Sequence, residues 1–143
     1  KISGNLLGEE SMEAEGGFSG SDIKFFKNPI LKFLSQSLSE PSLNQIRIDN
    51  LNFQFSRNLN LLEISGLSGD SLPLIKFNDG KVKISNKNSC EGTVNIQVES
   101  KVLESVDPNV KNFFKIENDY ASGTILFSGS SRDLKVSFVS ITD

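Results

Sequence analysis

Apolar and polar residues alternate along most of the chain after Leu43, and this two-residue period restricts the fold more than any other feature. The alternation is clearest at Val94, Ile96 and Val98. Because successive side chains of a strand point to opposite faces, this pattern predicts strands with one apolar face. The phase slips between Ile48 and Leu51, which indicates a β-bulge.

Turn residues divide the alternating region into short pieces. Arg57-Asn58 predicts a turn, Gly66 to Asp70 a loop, Asn78-Asp79-Gly80 a tight hairpin, Asn86 to Asn88 another turn, and Gly129 to Arg132 the last link. Such short connections favour antiparallel neighbours. Residues 43–141 are therefore predicted to form an antiparallel sheet.

One segment before the sheet has helical spacing. Asn28 followed by Pro29 is typical of a helix start, and Ile30, Phe33, Leu34 and Leu38 would share one face. Pro41 should end the helix. Asp22 could cap a separate short turn at 23–27, or a single kinked helix could run from Asp22 to Ser39; the helical region is thus 22–39.

The remaining elements complete an α+β prediction. Residues 1–20 are predicted as a strand arm of two short strands joined by a turn at Gly8 to Glu10, and Asp107-Pro108 predicts a second short helix. The expected fold is one β-rich module, residues 1–143: a mostly antiparallel, curved β-sheet with one covering helix and a second short helix.

The composition argues against an enzyme. The chain has no His, the commonest general base and transition-metal ligand, and a single Cys, Cys90, so no internal disulfide is available. Ser21-Asp22-Ile23-Lys24 matches a Ser-x-x-Lys pair, but capping explains it better. Glu13 and Glu15 are expected on a solvated strand face. We predict no catalytic residue, no metal site and no cofactor.

Charge and hydropathy bear on partners and location. The net charge of −3 and the absence of a basic cluster argue against nucleic acid as a partner. No apolar stretch approaches the ~20 residues of a membrane-spanning helix. Residue 1 is Lys rather than Met, so we expect an excised fragment or a mature chain whose signal or anchor lies elsewhere.

The aromatic residues point to apolar contacts. Phe accounts for 11 of them, with a single Tyr and no Trp. Stacking on sugars or on single-stranded nucleic acid favours Trp and Tyr, whereas Phe suits a dry core or a groove that holds acyl chains. A carbohydrate-binding module is therefore disfavoured. The candidate lipid-facing residues are Phe53, Phe55, Ile84, Val94, Ile96, Phe127 and Val136.

The order of elements resembles the C-terminal region of AsmA-like proteins. The stretch Ser11 to Ile23 looks like that family's strand, glycine, loop and Asp-apolar opening before a helix. Ile48 to Phe53, Asn78 to Val82 and Gly92 to Ile96 are similar to strands that follow it. The ending Phe127-Ser128-Gly129 with Asp133 departs from the family's pattern, because Leu134 stands where Pro is expected.

This resemblance implies a role in the cell envelope. AsmA-like proteins resemble bridge-like lipid carriers with long β-sheet grooves that project into the periplasm. The likeness implies a non-catalytic periplasmic module that contributes to lipid transport or outer-membrane assembly, with phospholipid as a partner. The alternative is a structural or adhesion-type interaction domain with a closed core and no ligand. Under either hypothesis, an open edge could pair with neighbouring β-modules.

Overall fold

The structure, a computed structural model, describes residues 2–3, 13–26, 28–71, 74–85, 88–130 and 132–140. Within these ranges the strands are β1 Ile2–Ser3, β2 Glu13–Gly20, β3 Ile23–Phe26, β4 Gln45–Arg57, β5 Leu61–Ser71, β6 Ile75–Ser85, β7 Ser89–Glu99, β8 Lys115–Glu117, β9 Tyr120–Ser130 and β10 Asp133–Phe138. The helices are α1 Pro29–Ser37 and α2 Pro108–Lys111, with 3-10 turns at Pro41–Asn44 and Ser100–Ser105.

The strands form one antiparallel sheet. Its order is β1-β2-β4-β5-β6-β7-β9-β10, with β3 beside β4 and β8 beside β9. Every pairing within it is antiparallel. The prediction of a mostly antiparallel sheet with few helices is confirmed. In the predicted N-terminal arm β1 pairs with β2, whereas the turn expected at Gly8 to Glu10 lies outside the described residues.

The predicted helical turn after Asp22 is wrong, and so is the single kinked helix. Residues 23–26 form β3, which pairs with β4 in a register that places Ile23 across from Ile48. The Asp22 amide donates to Asp49 Oδ1 at 2.9 Å, and the Asp22 carboxylate lies 2.6 Å from Arg47 Nε. Long-range pairing with β4 thus replaces the local capping that the sequence favours.

The helix start predicted at Asn28-Pro29 is confirmed. Asn28 Oδ1 accepts from the amides of Ile30 at 2.8 Å and Leu31 at 3.3 Å. This side chain satisfies two amides that have no partner inside the helix. The helix ends at Ser37, ahead of Pro41. The second predicted helix is also present, and there Asp107 Oδ1 accepts from the amide of Asn109 at 2.8 Å.

Two predicted connections are instead parts of long strands. The loop expected at Gly66 to Asp70 lies inside β5, and the hairpin expected at Asn78-Asp79-Gly80 lies inside β6. Both are bulges: the pairing register shifts there, and φ is +60° at Gly66 and +51° at Asp79. Residues that tolerate positive φ are found in bulges as well as in turns. Here β5 and β6 each pair with a strand on both sides, so the strand continues past the bulge.

The bulge predicted between Ile48 and Leu51 is confirmed. The β4–β5 register shifts between Asp49 and Asn52, and Asn50 has a φ of +53°. Neighbouring strands β4, β5 and β6 therefore each carry a bulge with a residue in the left-handed region. The predicted turn at Arg57-Asn58 is also present, where the Asn58 amide donates to the Leu61 carbonyl at 3.0 Å.

The sheet has one apolar and one polar face. Cross-strand partners share a face, and the registers align one apolar row across the sheet: Phe55, Ile64, Val82, Gly92, Phe127 and Val136. We call the side that carries this row the apolar face. On the opposite side, the polar face, Lys83 stands between Glu63 and Glu91. Leu31, Leu34 and Leu38 join the buried cluster on the apolar face.

Candidate apolar binding site

Burial changes along the apolar face. At one end Ile75, Val98 and Ala121 stand in register and are at most 2% exposed. At the other end Ile84 and Cys90 stand in register and are only half-buried. This second end lies beside the turns that join β4 to β5, β6 to β7 and β9 to β10. The apolar face is therefore sealed at one end and partly open at the end next to these turns.

A cavity of about 350 Å³ lies between α1 and the apolar face. Its helix side includes Ile30 and Leu31, and its sheet side includes Phe53, Leu67, Val94 and Phe127. We call it the helix-side cavity.

Few polar groups line the helix-side cavity. Asn28 and Ser68 are its only polar side chains among the described residues, and no charged side chain lines it. Asn28 Oδ1 already accepts from two amides of the helix. The chemistry of this lining suits an uncharged aliphatic group, because a buried charge or polar group would find almost no partner there.

The registers put every candidate lipid-facing residue on the apolar face, but in different surroundings. Phe53, Val94 and Phe127 line the helix-side cavity. Ile96 is 1% exposed and lies in the core. The other three are half-buried: Phe55, Ile84 and Val136.

Several cavity residues escaped the sequence analysis. Leu67 was assigned to a loop, although it belongs to β5 and stands across from Gly80. Phe77, also in the cavity, is 9% exposed and was not among the candidate lipid-facing residues. If Gly66 and Asp79 had been interpreted as bulges and not as turn residues, each region would have been predicted as one long strand that includes Leu67 or Phe77. The helical spacing put Ile30 on the apolar face of the helix, but it did not indicate which strands Ile30 and Leu31 would approach.

Aromatic contacts reinforce both margins of the sheet. The rings of Phe18 and Phe53 stack with centroids 5.1 Å apart. The ring of Phe138 on β10 lies 4.9 Å from that of Phe33 on α1 and 5.4 Å from those of Phe113 and Phe114. Such pairs add to the free energy of burying their apolar area. Phe138 thus connects β10 to α1 and to the segment that follows α2.

Cys90 is the titratable group at the half-open end whose pKa is shifted. Burial, and to a smaller degree the nearby Glu91 carboxylate, raises the pKa of the Cys90 thiol above its usual value. Cys90 is therefore a protonated, weakly polar group beside Ile84 at neutral pH. Across the described ranges, no three His, Cys, Asp or Glu side chains are grouped as metal ligands would be, and no helix is long and apolar enough to cross a membrane.

Comparison with known proteins adds no relative. No family model matches the chain, and no curated protein or solved structure is significantly similar to it. The fold and site therefore define the class from their own geometry: an open antiparallel sheet with one polar face and one apolar face, which holds a cavity against a short helix.

Proposed function

We propose that this chain is a non-catalytic envelope module of an AsmA-like protein, located in the periplasm, where it contributes to lipid transport or outer-membrane assembly through its apolar face. One observation carries the proposal: the uncharged helix-side cavity lies on an apolar sheet face that stays half-open at one end. The resemblance in the order of elements supplies the family, and the cavity supplies the contact with lipid.

In this proposal α1 is the covering helix of a curved sheet. Bulges at Asn50, Gly66 and Asp79 lie on adjacent strands, and each bulge bends its strand and increases the local twist. Bends that follow one another across neighbouring strands would turn the apolar face into a trough. The helix then packs Leu31 and Leu34 into the buried cluster of the trough, and the cavity remains beside Ile30 and Leu31.

The size and lining of the cavity favour an aliphatic chain as the ligand. An apolar cavity of roughly 150 Å³ binds a molecule as small as benzene. The helix-side cavity, at about 350 Å³, is large enough for part of an acyl chain. Because no described charged residue lines it, a lipid headgroup would remain at the half-open end, close to solvent.

Native mass spectrometry of the gently purified domain tests this proposal. We expect adducts of phospholipid mass on the wild-type protein and their loss in Leu67→Trp, which fills the cavity. Leu126→Trp is the matched control, because Leu126 is 44% exposed and stands between Thr93 and Ser137 on the polar face. This control should keep the adducts.

The single cysteine offers a second readout. Cys90 lies at the half-open end of the apolar face, so bound phospholipid should slow its alkylation by maleimide. A wild-type protein that shows no adduct after incubation with phospholipid vesicles, and no change in alkylation, would contradict the lipid proposal. It would favour a structural or adhesion-type domain with a closed core, for which the sealed end at Ile75 and Ala121 provides support.

A further inference from the structure

The outer edge of β10 presents unpaired backbone groups. The Val139 amide donates to the Thr124 carbonyl at 2.8 Å, so these two residues form a hydrogen-bonded pair. In the same register, Phe138 lies across from Ile125 and Val136 lies across from Phe127. Hydrogen-bonded and non-hydrogen-bonded pairs alternate in an antiparallel ladder. Leu134 and Val136 are therefore non-hydrogen-bonded positions, and their N–H and C=O groups point away from β9. No strand in the described part of the chain pairs with that side of β10.

A cleft of about 780 Å³ runs along this edge, which we call the edge cleft. Leu134 and Val136 form its β10 side, and Lys32, Phe33 and Gln36 of α1 line the opposite side. Asn44 and Gln45 also line it. The edge cleft thus combines a strand edge, an apolar contact surface and amide side chains, which are the features that bind an extended peptide.

The two margins of the sheet differ in their ability to accept a strand. Where β2 and β3 flank β4, the chain is interrupted at Asp22, whose φ is +58°. Interruptions of this kind discourage pairing along an edge. The segment from Asp133 to Phe138 has no proline, no glycine and no register shift against β9. It is the regular margin of the sheet.

The charges at the edge cleft favour an acidic partner. Lys32, Arg132 and Asp133 line it and are exposed, so cations outnumber the single carboxylate. Neither Lys32 nor Arg132 forms an ion pair with a residue that the structure describes. Glutamate or aspartate in a bound peptide could pair with both. Such rim charges mainly select the partner and speed its association.

We propose that the edge cleft binds an extended, acidic peptide segment by strand addition to β10. Apolar side chains of the peptide pack against Phe33 and Val136, and acidic side chains at the ends of the bound segment pair with Lys32 and Arg132. The backbone of Leu134 and Val136 supplies the hydrogen bonds. The edge cleft shares only Asn28 with the helix-side cavity, and peptide binding there does not depend on lipid binding.

Fluorescence anisotropy with a labelled peptide tests the proposal. The probe is a short peptide in which valine alternates with glutamate, and the matched peptide carries lysine in place of glutamate. We expect the wild-type protein to bind the glutamate peptide more tightly. In addition, N-methylation of alternate backbone amides should abolish binding in one register and spare it in the other, because only one edge of the peptide pairs with β10.

Variants of the protein complete the test. Val136→Pro removes an N–H that points away from β9, and should weaken binding roughly tenfold or more without unfolding the sheet. Val136→Thr keeps that N–H and replaces only one methyl group of the apolar contact, so it should weaken binding much less than Val136→Pro does. Leu67→Trp alters only the helix-side cavity and should bind as the wild type does. If Val136→Pro does not fold, the two methylated peptides decide the result.

Three outcomes would overturn strand addition. They are equal binding of both methylated peptides, unchanged binding by a folded Val136→Pro protein, and no binding of the glutamate peptide to the wild type. Loss of lipid adducts in Leu67→Trp together with intact peptide binding would show that the two sites are independent.

Discussion

Phe127 lies across from Gly92, and its ring occupies the space that a side chain at position 92 would need. A Cβ placed on Gly92 would come within 2.6 Å of Phe127 Cζ and would also collide with the Lys81 carbonyl oxygen. Gly92 therefore leaves room for the Phe127 ring beside the backbone of β7, where the ring forms part of the helix-side cavity. The packing of the row Val82, Gly92 and Phe127 therefore depends on the absence of a side chain at residue 92.

Gly92→Ala should lower the free energy of unfolding by about 1–3 kcal/mol, because both the ring and the backbone of β6 would have to move. Urea denaturation followed by circular dichroism measures the change. Gly17→Ala is the control: its Cβ would lie 3.6 Å from the Phe53 carbonyl oxygen, an ordinary contact, and the effect should stay within about 0.5 kcal/mol. Equal losses in the two variants would contradict this account of Gly92.

Asn28→Ala should destabilise the protein by about 1 kcal/mol, because the amides of Ile30 and Leu31 lose their shared acceptor. Thermal denaturation at fixed protein concentration measures this. Asn28→Asp keeps a side-chain oxygen at the cap and should retain most of the stability. If alanine and aspartate behaved alike, the capping hydrogen bonds would contribute nothing measurable.

Asp79 tests the bulge in β6, since its φ of +51° lies in the left-handed region and its side chain is exposed. A β-branched residue is strained there, whereas glycine is not. Asp79→Val should therefore be less stable than Asp79→Gly by about 1–2 kcal/mol in urea denaturation. The same pair of substitutions at exposed Lys81, on the same strand but without positive φ, should show no such advantage for glycine.

Cys90 should react slowly with alkylating reagents at neutral pH. The raised pKa means that the thiolate, which is the reactive form, is scarcer at a given pH than in an exposed cysteine. The rate of iodoacetamide alkylation should therefore rise with pH along a curve displaced to higher pH than that of a free thiol. Glu91→Gln removes the smaller cause and should shift the curve only slightly back, because burial remains. A curve at or below the position of the free thiol would refute the raised pKa.

The sequence predicted the elements whose signals are local. The cap at Asn28 and the proline at residue 29 place the helix start without reference to the rest of the chain, as do Asp107 and Pro108 for α2. The alternation at Val94, Ile96 and Val98 likewise predicts β7 and its apolar face. The shared face of the candidate lipid-facing residues was predictable for the same reason, since a period of two assigns the face directly.

The tertiary structure decided the outcomes for which the local signals were ambiguous. Residues with positive φ suit a turn or a bulge equally well, and only the pairing of β5 and β6 with strands on both sides selects the bulge at Gly66 and Asp79. Asp22 could have capped a helix, but β4 supplied a better partner in Arg47. The cavity between Ile30 and Phe127, and the cleft beside Val136, depend on distant segments meeting in space, and no short-range pattern in a sequence encodes such a meeting.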